Sequence, residues 1–178
     1  MFIKLNILKI FFEDPAREFN VREAARILGV SPATASKELK GMAKDGLLKE
    51  RKERNLNLYR SDLESASYRD LKTYYNIRKL RESGLVDALN SFYLKPAIVL
   101  FGSAASGLDT KTSDFDLLIV SEKAKDFSGI KRFEKSINRP IQLFVVRNVK
   151  ELKNEHLINS ALNGIVVEGA VDGFERVL

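Results

Sequence analysis

Asp114 and Asp116 open an apolar run that continues through Val120, with Phe115 between them. A strand turns alternate residues to one face, so this spacing sets the two carboxylates side by side and sends Phe115 to the other face. Carboxylate oxygens are hard donors that suit divalent cations such as Mg²⁺. Upstream, Ile98-Val99-Leu100-Phe101 has the β-branched content of a buried strand and breaks at Gly102-Ser103. The small residues Ala104, Ala105, Ser106 and Gly107 then read as the first turn of a helix. Free backbone N–H groups at such a turn can hold phosphate oxygens, and a glycine lets a phosphate approach the chain. A phosphate cradle followed by paired acids suits a triphosphate held together with a divalent cation.

Bringing the two motifs together requires a sheet. A short helix over Leu85–Tyr93 leads through Lys95-Pro96 into the first strand. After Val120 the order reads as a polar loop at 121–128, a helix over Ile130–Ile137, a strand at 140–146, a helix at 149–162 and a last strand at 165–167. Ser128-Gly129 and Asn138-Arg139-Pro140 supply turns. Strands divided by helices predict an α+β layer.

The run Phe101-Gly102-Ser103, a spacer, then Ser113-Asp114-Phe115-Asp116-Leu117 resembles the nucleotidyltransferases with the DNA polymerase β fold. Within them it is most similar to the small minimal nucleotidyltransferases. The resemblance implies a small mixed sheet, Gly102 and Ser103 as the triphosphate-binding pair, and Asp114 and Asp116 as catalytic metal ligands. It also implies a nucleoside triphosphate as partner and Mg²⁺ (or Mn²⁺) as cofactor. The sequence departs from that pattern twice. Gln142 stands where relatives carry a third carboxylate, and it is the single glutamine of the chain; an amide offers a carbonyl oxygen but no charge. Ser106 stands where many minimal members have an arginine, which leaves Lys111 as the candidate phosphate-facing cation.

The first third of the chain reads differently. Apolar residues at helical spacing over 5–12 end at Glu13-Asp14-Pro15, because proline disfavours helical geometry in the residue before it. Asn20 with Glu23 looks like an N-cap and its partner, followed by Val21, Ala24, Ala25 and Leu28 on one face. After a turn at Gly29-Val30, Ser31-Pro32 begins a third helix over 32–45 that should bury Ala35, Leu39 and Met42. Its opposite face carries Ala33, Ser36, Lys37, Lys40 and Lys44. Gly46 stops it, and a charged run with Arg51, Lys52 and Arg54 leads into an alternating strand at 56–60, a β-hairpin. The order resembles the winged helix-turn-helix regulators of bacteria and archaea. That resemblance implies duplex DNA as a partner, with Ser36, Lys37, Lys40, Lys44, Arg51, Lys52 and Arg54 at the interface. A winged helix used for protein contact or dimerisation is the alternative reading.

The expected organisation is therefore a winged helix-turn-helix at 1–61, a linking helix at 62–83 and a nucleotidyltransferase-fold domain at 84–178. The linking helix presents Tyr68, Leu71 and Tyr75 as a stripe, which suits core packing or a homodimer contact. A net charge of +6 favours anionic partners without choosing among them. The absence of cysteine excludes disulfides and thiolate zinc sites, and the single histidine, His156, excludes a histidine-rich metal site. No apolar run approaches a membrane span and no signal-peptide pattern opens the chain, so a cytoplasmic protein without a membrane partner is expected. Two functions follow. One is a nucleotidyl-transferring enzyme with a DNA-binding domain. The other is a DNA-binding transcriptional regulator whose nucleotidyltransferase domain is catalytically degenerate and serves as a nucleotide sensor or protein-contact module.

Overall fold

The computed structural model describes residues 2–123 and 125–170. The chain divides into two compact units, Met1–Lys72 and Thr73–Leu178.

In the first unit the order is α1 (Phe2–Glu13), β1 (Phe19–Asn20), α2 (Val21–Leu28), α3 (Pro32–Lys44), β2 (Leu48–Glu53) and β3 (Leu56–Ser61). Local chemistry sets the helix ends. The Asn20 side chain accepts from the Glu23 N–H at 2.9 Å, and Ser31 Oγ accepts from the Thr34 N–H at 3.0 Å. Each cap satisfies a backbone donor that the helix leaves open. Gly29 closes α2 in the left-handed conformation at φ 66°. Ala35, Leu39 and Met42 are buried as their spacing predicts, and Leu8, Phe11 and Phe12 of α1 are buried as well. The three strands form an antiparallel sheet in the order β1-β3-β2. The two-residue strand β1 is absent from the sequence expectation, because two residues carry no period; its partners Tyr59 and Leu58 define it.

Helix α4 (Ala66–Glu82) runs across the boundary between the units. It starts later than the linking helix expected at 62–83, because Asp62 to Ser65 form a turn closed by Ser65 N–H to Asp62 O at 3.1 Å. Tyr68 is fully buried in the first unit, where its hydroxyl donates to Phe11 O at 3.0 Å and its ring lies 5.4 Å from Phe12. Core packing thus takes up this member of the tyrosine stripe.

The second unit continues with α5 (Leu85–Tyr93), β4 (Ala97–Phe101), α6 (Gly102–Ala105), β5 (Phe115–Val120), α7 (Ile130–Ile137), β6 (Ile141–Val146), α8 (Glu155–Leu162) and β7 (Ile165–Glu168). Its sheet is mixed, in the order β6-β5-β4-β7, with only the β5–β6 pair parallel. Strand alternation divides the core between the two faces. Ile98, Leu100, Phe115, Leu117, Ile119 and Ile141 pack with residues of α5 and α7. Val99, Phe101, Leu118 and Val146 pack on the other side with Val149, Leu152 and Ala161. The single helix expected at 149–162 is instead a 3₁₀ turn (Val149–Glu151) followed by α8. The Asn154 side chain accepts from the N–H groups of His156 and Leu157 at 2.9 and 3.2 Å, an N-cap that starts a new helix. His156 is exposed. Among the described residues no helix is long and apolar enough to cross a membrane.

Candidate functional site

The register of three strands assembles the head of the sheet. Phe101 on β4 lies opposite Asp116 on β5, and Asp116 lies beside Gln142 on β6. By alternation Asp116 and Gln142 share the face of Leu118 and Val146, while Phe115 turns into the opposite core. Gly102 follows Phe101 directly, so the same register carries the loop onto the acid. A Cβ built on Gly102 would stand 2.6 Å from Asp116 Oδ2, and the residue sits at φ +71°. The left-handed backbone favours glycine there, and any side chain would have to push the Asp116 carboxylate aside. Asp116 is thus in contact with the loop that the sequence marks for phosphate.

Asp114 is exposed and lies one residue before β5, outside the strand that was expected to include it. Ser113 and Thr110 form a turn just upstream, with Ser113 N–H donating to Thr110 O at 3.2 Å and Thr110 N–H donating to Ser113 Oγ at 2.9 Å. This turn replaces the first residue of the expected ladder. Burial, and after it the charge of Asp114, raises the Asp116 pKa above its ordinary value of 3.8. The folded protein then holds its proton to higher pH than the unfolded chain does, so this group lowers stability as pH rises from that value through the folded one. Nearby positive charge would reverse the penalty.

Ser103 is half-buried. Ser106, at the position of the missing arginine, turns its hydroxyl back to donate to Ser103 O at 3.1 Å and Gly102 O at 3.4 Å. It braces the loop and replaces none of the arginine's charge. Lys111 is exposed in the polar loop before Asp114. Among the described residues no group of three or more His, Cys, Asp and Glu side chains is arranged to hold a metal. The oxygen donors at the head of β5 are the two carboxylates and the Gln142 amide. By type, such oxygen donors suit a hard divalent cation.

Sequence reasoning missed a buried polar group behind these residues, made of Asn76, Asp109 and Arg139. Asp109 sits in a polar loop and Arg139 in a turn dipeptide before proline, so no period marks either one. A salt bridge between them is visible only in three dimensions.

In the first unit the outer face of α3 shows Ala33, Lys37, Lys40 and Lys44 exposed and Ser36 half-buried. Lys37, Lys40 and Lys44 make no ion pair among the described residues, and neither do Lys52 and Arg54 of the β2–β3 hairpin. Arg51 differs from them. Its Nε donates to Glu18 Oε1 at 2.8 Å and its Nη2 to Glu18 Oε2 at 2.6 Å, while Nη1 pairs with Glu53 at 2.7 Å. The hydrogen bonds from Arg51 hold Glu18 below the ordinary carboxylate value. Arg51 therefore arrives already neutralised, unlike the other cations that the sequence groups with it.

Residues 82–167 match the family described as "Nucleotidyltransferase domain". No curated protein matches the chain. Among solved structures, one similar chain is a possible transcriptional regulator from Methanosarcina mazei Go1. The identity is 16%, over 52% of this chain and 75% of that one, with a TM-score of 0.36.

Proposed function

We propose that the nucleotidyltransferase-type domain at residues 82–167 binds a nucleoside triphosphate with Mg²⁺ or Mn²⁺ and transfers a nucleoside monophosphate to an acceptor. In the same proposal, residues 1–61 are a winged helix-turn-helix that binds duplex DNA. The observation that carries the first part is the apposition of Gly102 and Asp116, with no space for a Cβ between loop and acid. Gly102 and Ser103 hold the phosphate chain through backbone N–H groups. Asp114 and Asp116 hold the cation, and Gln142, beside Asp116 in register, contributes an uncharged oxygen. A divalent cation bound there neutralises the triphosphate and polarises the attacked phosphorus. The protein's part is to fix the phosphate chain against paired acids whose mutual repulsion favours an arriving positive charge. Transfer forms an acceptor–phosphorus bond and releases pyrophosphate.

The helix and hairpin order, the caps on α2 and α3 and the exposed lysines on the outer face of α3, which make no ion pair among the described residues, support the DNA reading. Gln142 favours a second reading for the C-terminal domain, in which nucleotide binds without turnover and serves as a signal to the DNA-binding part. Calorimetry with several nucleoside triphosphates, with and without Mg²⁺ or Mn²⁺, tests the shared premise. Cation-dependent binding supports both readings; absence of binding even with Mn²⁺ removes the enzyme and the nucleotide sensor and leaves a regulator whose C-terminal domain is a protein-contact module. Release of pyrophosphate on adding cell extract as acceptor, lost in Asp116→Asn, separates the enzyme from the sensor.

A further inference from the structure

Asp114 lies outside the β ladder, so strand pairing does not fix it. The carbonyl just before it is fixed from elsewhere: Arg139 Nε donates to Ser113 O at 2.7 Å. The Phe115 N–H, just after it, donates to Pro140 O at 2.9 Å. The Arg139 guanidinium lies 4.4 Å from the centre of the Phe115 ring and donates through Nη1 to Asp109 Oδ2 at 2.5 Å. Asp109 is fully buried, and the Arg139 side chain is 6% exposed. On its other oxygen, Asp109 accepts from Asn76 Nδ2 at 2.8 Å, and the same Nδ2 donates to Ala104 O at 2.9 Å. Thr73 Oγ1 adds a bond to Ala105 O at 3.1 Å.

One chain of contacts therefore links the carbonyls of α6, which carries Gly102 and Ser103, to the backbone on either side of Asp114. We infer that Asn76, Asp109 and Arg139 are positioning residues that set the spacing between the Gly102-Ser103 loop and Asp114; this rests on the nucleotide reading above. A buried ion pair is a weak source of stability, since well-packed apolar residues often serve as well. What an apolar replacement would lack is the directed bond to the Ser113 carbonyl. Arginine has the planar fork needed to donate to Ser113 and Asp109 at once, and lysine has not. One Arg139 nitrogen, Nη2, is buried without a hydrogen-bond partner among the described residues. The side chain is thus placed by the bonds of Nε and Nη1, at the expense of its third nitrogen.

The test compares wild type with Arg139→Lys and Asn76→Ala in the full chain, by amide hydrogen exchange without nucleotide and by calorimetry with Mn²⁺ and ATP. In Arg139→Lys, exchange should quicken at residues 113–115 while β4 and β6 stay protected. In Asn76→Ala, it should quicken at residues 102–108. Affinity for ATP with Mn²⁺ should fall by roughly 10–100-fold in Arg139→Lys, the usual cost of losing a group that orients metal ligands. Exchange that rises evenly over the whole domain, or unchanged nucleotide affinity in a folded variant, would overturn the inference and leave the group a part of the core. If wild type itself binds no ATP with Mn²⁺, the nucleotide reading fails; the exchange pattern still decides whether the tether exists. Should Arg139→Lys fail to fold, Asn76→Ala alone carries the same decision.

Discussion

The outer face of α3 and the head of β5 are both charged, but they are built by opposite means. On α3 the lysines at 37, 40 and 44 stand exposed without carboxylate partners among the described residues. Their placement needs only the 3.6-residue period, a capped start and an apolar opposite face. At the head of β5 an exposed Asp114 and a half-buried Asp116 lie in front of a buried arginine–aspartate pair. Their placement needs three strands in register and a side chain reaching from the entrance of β6. A helix face exists as soon as the helix does, whereas the acid site exists only when the sheet is complete. Damage to the first should therefore be graded by charge. Damage to the second should be abrupt and depend on geometry.

The largest effect is expected from Asp114→Asn, which should abolish the coupling of cation and triphosphate binding. Calorimetry would show affinity for ATP no longer responding to Mn²⁺, and a retained response would remove Asp114 from the site. Gly102→Ala should act almost as strongly by a different route. Its methyl group must displace the Asp116 carboxylate, and the left-handed backbone adds about 1–2 kcal/mol of strain. Loss of Mn²⁺-dependent binding beyond what the fall in thermal stability explains would confirm the contact; full binding would show that the loop has room to move.

Replacing Lys37 and Lys40 by alanine should weaken duplex binding and flatten the slope of log K against log salt by about 0.9 for each phosphate no longer neutralised. Arg51→Ala should change that slope less per charge removed, because Arg51 is already paired with Glu18 and Glu53. Fluorescence anisotropy over a salt series checks both, and an equal change per charge removed in the two variants would break the graded picture of the first unit. Gln142→Asp should tighten cation binding on the order of tenfold by adding the missing charge, since ligand charge count tunes such sites. No gain in cation affinity would mean that the amide already serves as the working ligand.

The smallest effect concerns stability. Because its folded pKa is raised, Asp116 disfavours the native state once the pH exceeds its ordinary value. Asp116→Asn should then make the cation-free protein more heat-stable at neutral pH, with the difference shrinking as pH falls to 3.8 and below. Melting curves over pH test this sign. A variant less stable than wild type at pH 7 would mean that hydrogen bonding by the carboxylate outweighs its desolvation.

The sequence by itself determined the caps at Asn20 and Ser31, the buried Ala35, Leu39 and Met42, and the strand either side of Gly102-Ser103 and Asp116. These rest on contacts within a few residues, so their signals are local periods, turn residues and capping side chains. It also marked Gln142 as the odd residue, and the β5–β6 register sets that residue beside Asp116. The tertiary structure alone decided that Asp116 would press on Gly102, that Arg51 would be held by Glu18, and that Tyr68 would turn into the core of its own unit. It alone paired Arg139 with Asp109, and it broke the helix at 149–162 and left Asp114 ahead of its strand. Most of these depend on groups brought together by strand register and packing across long stretches of chain. A one-dimensional period carries no record of which distant charge will arrive beside a given side chain, and that arrival is what sets its burial, its pairing and its proton affinity.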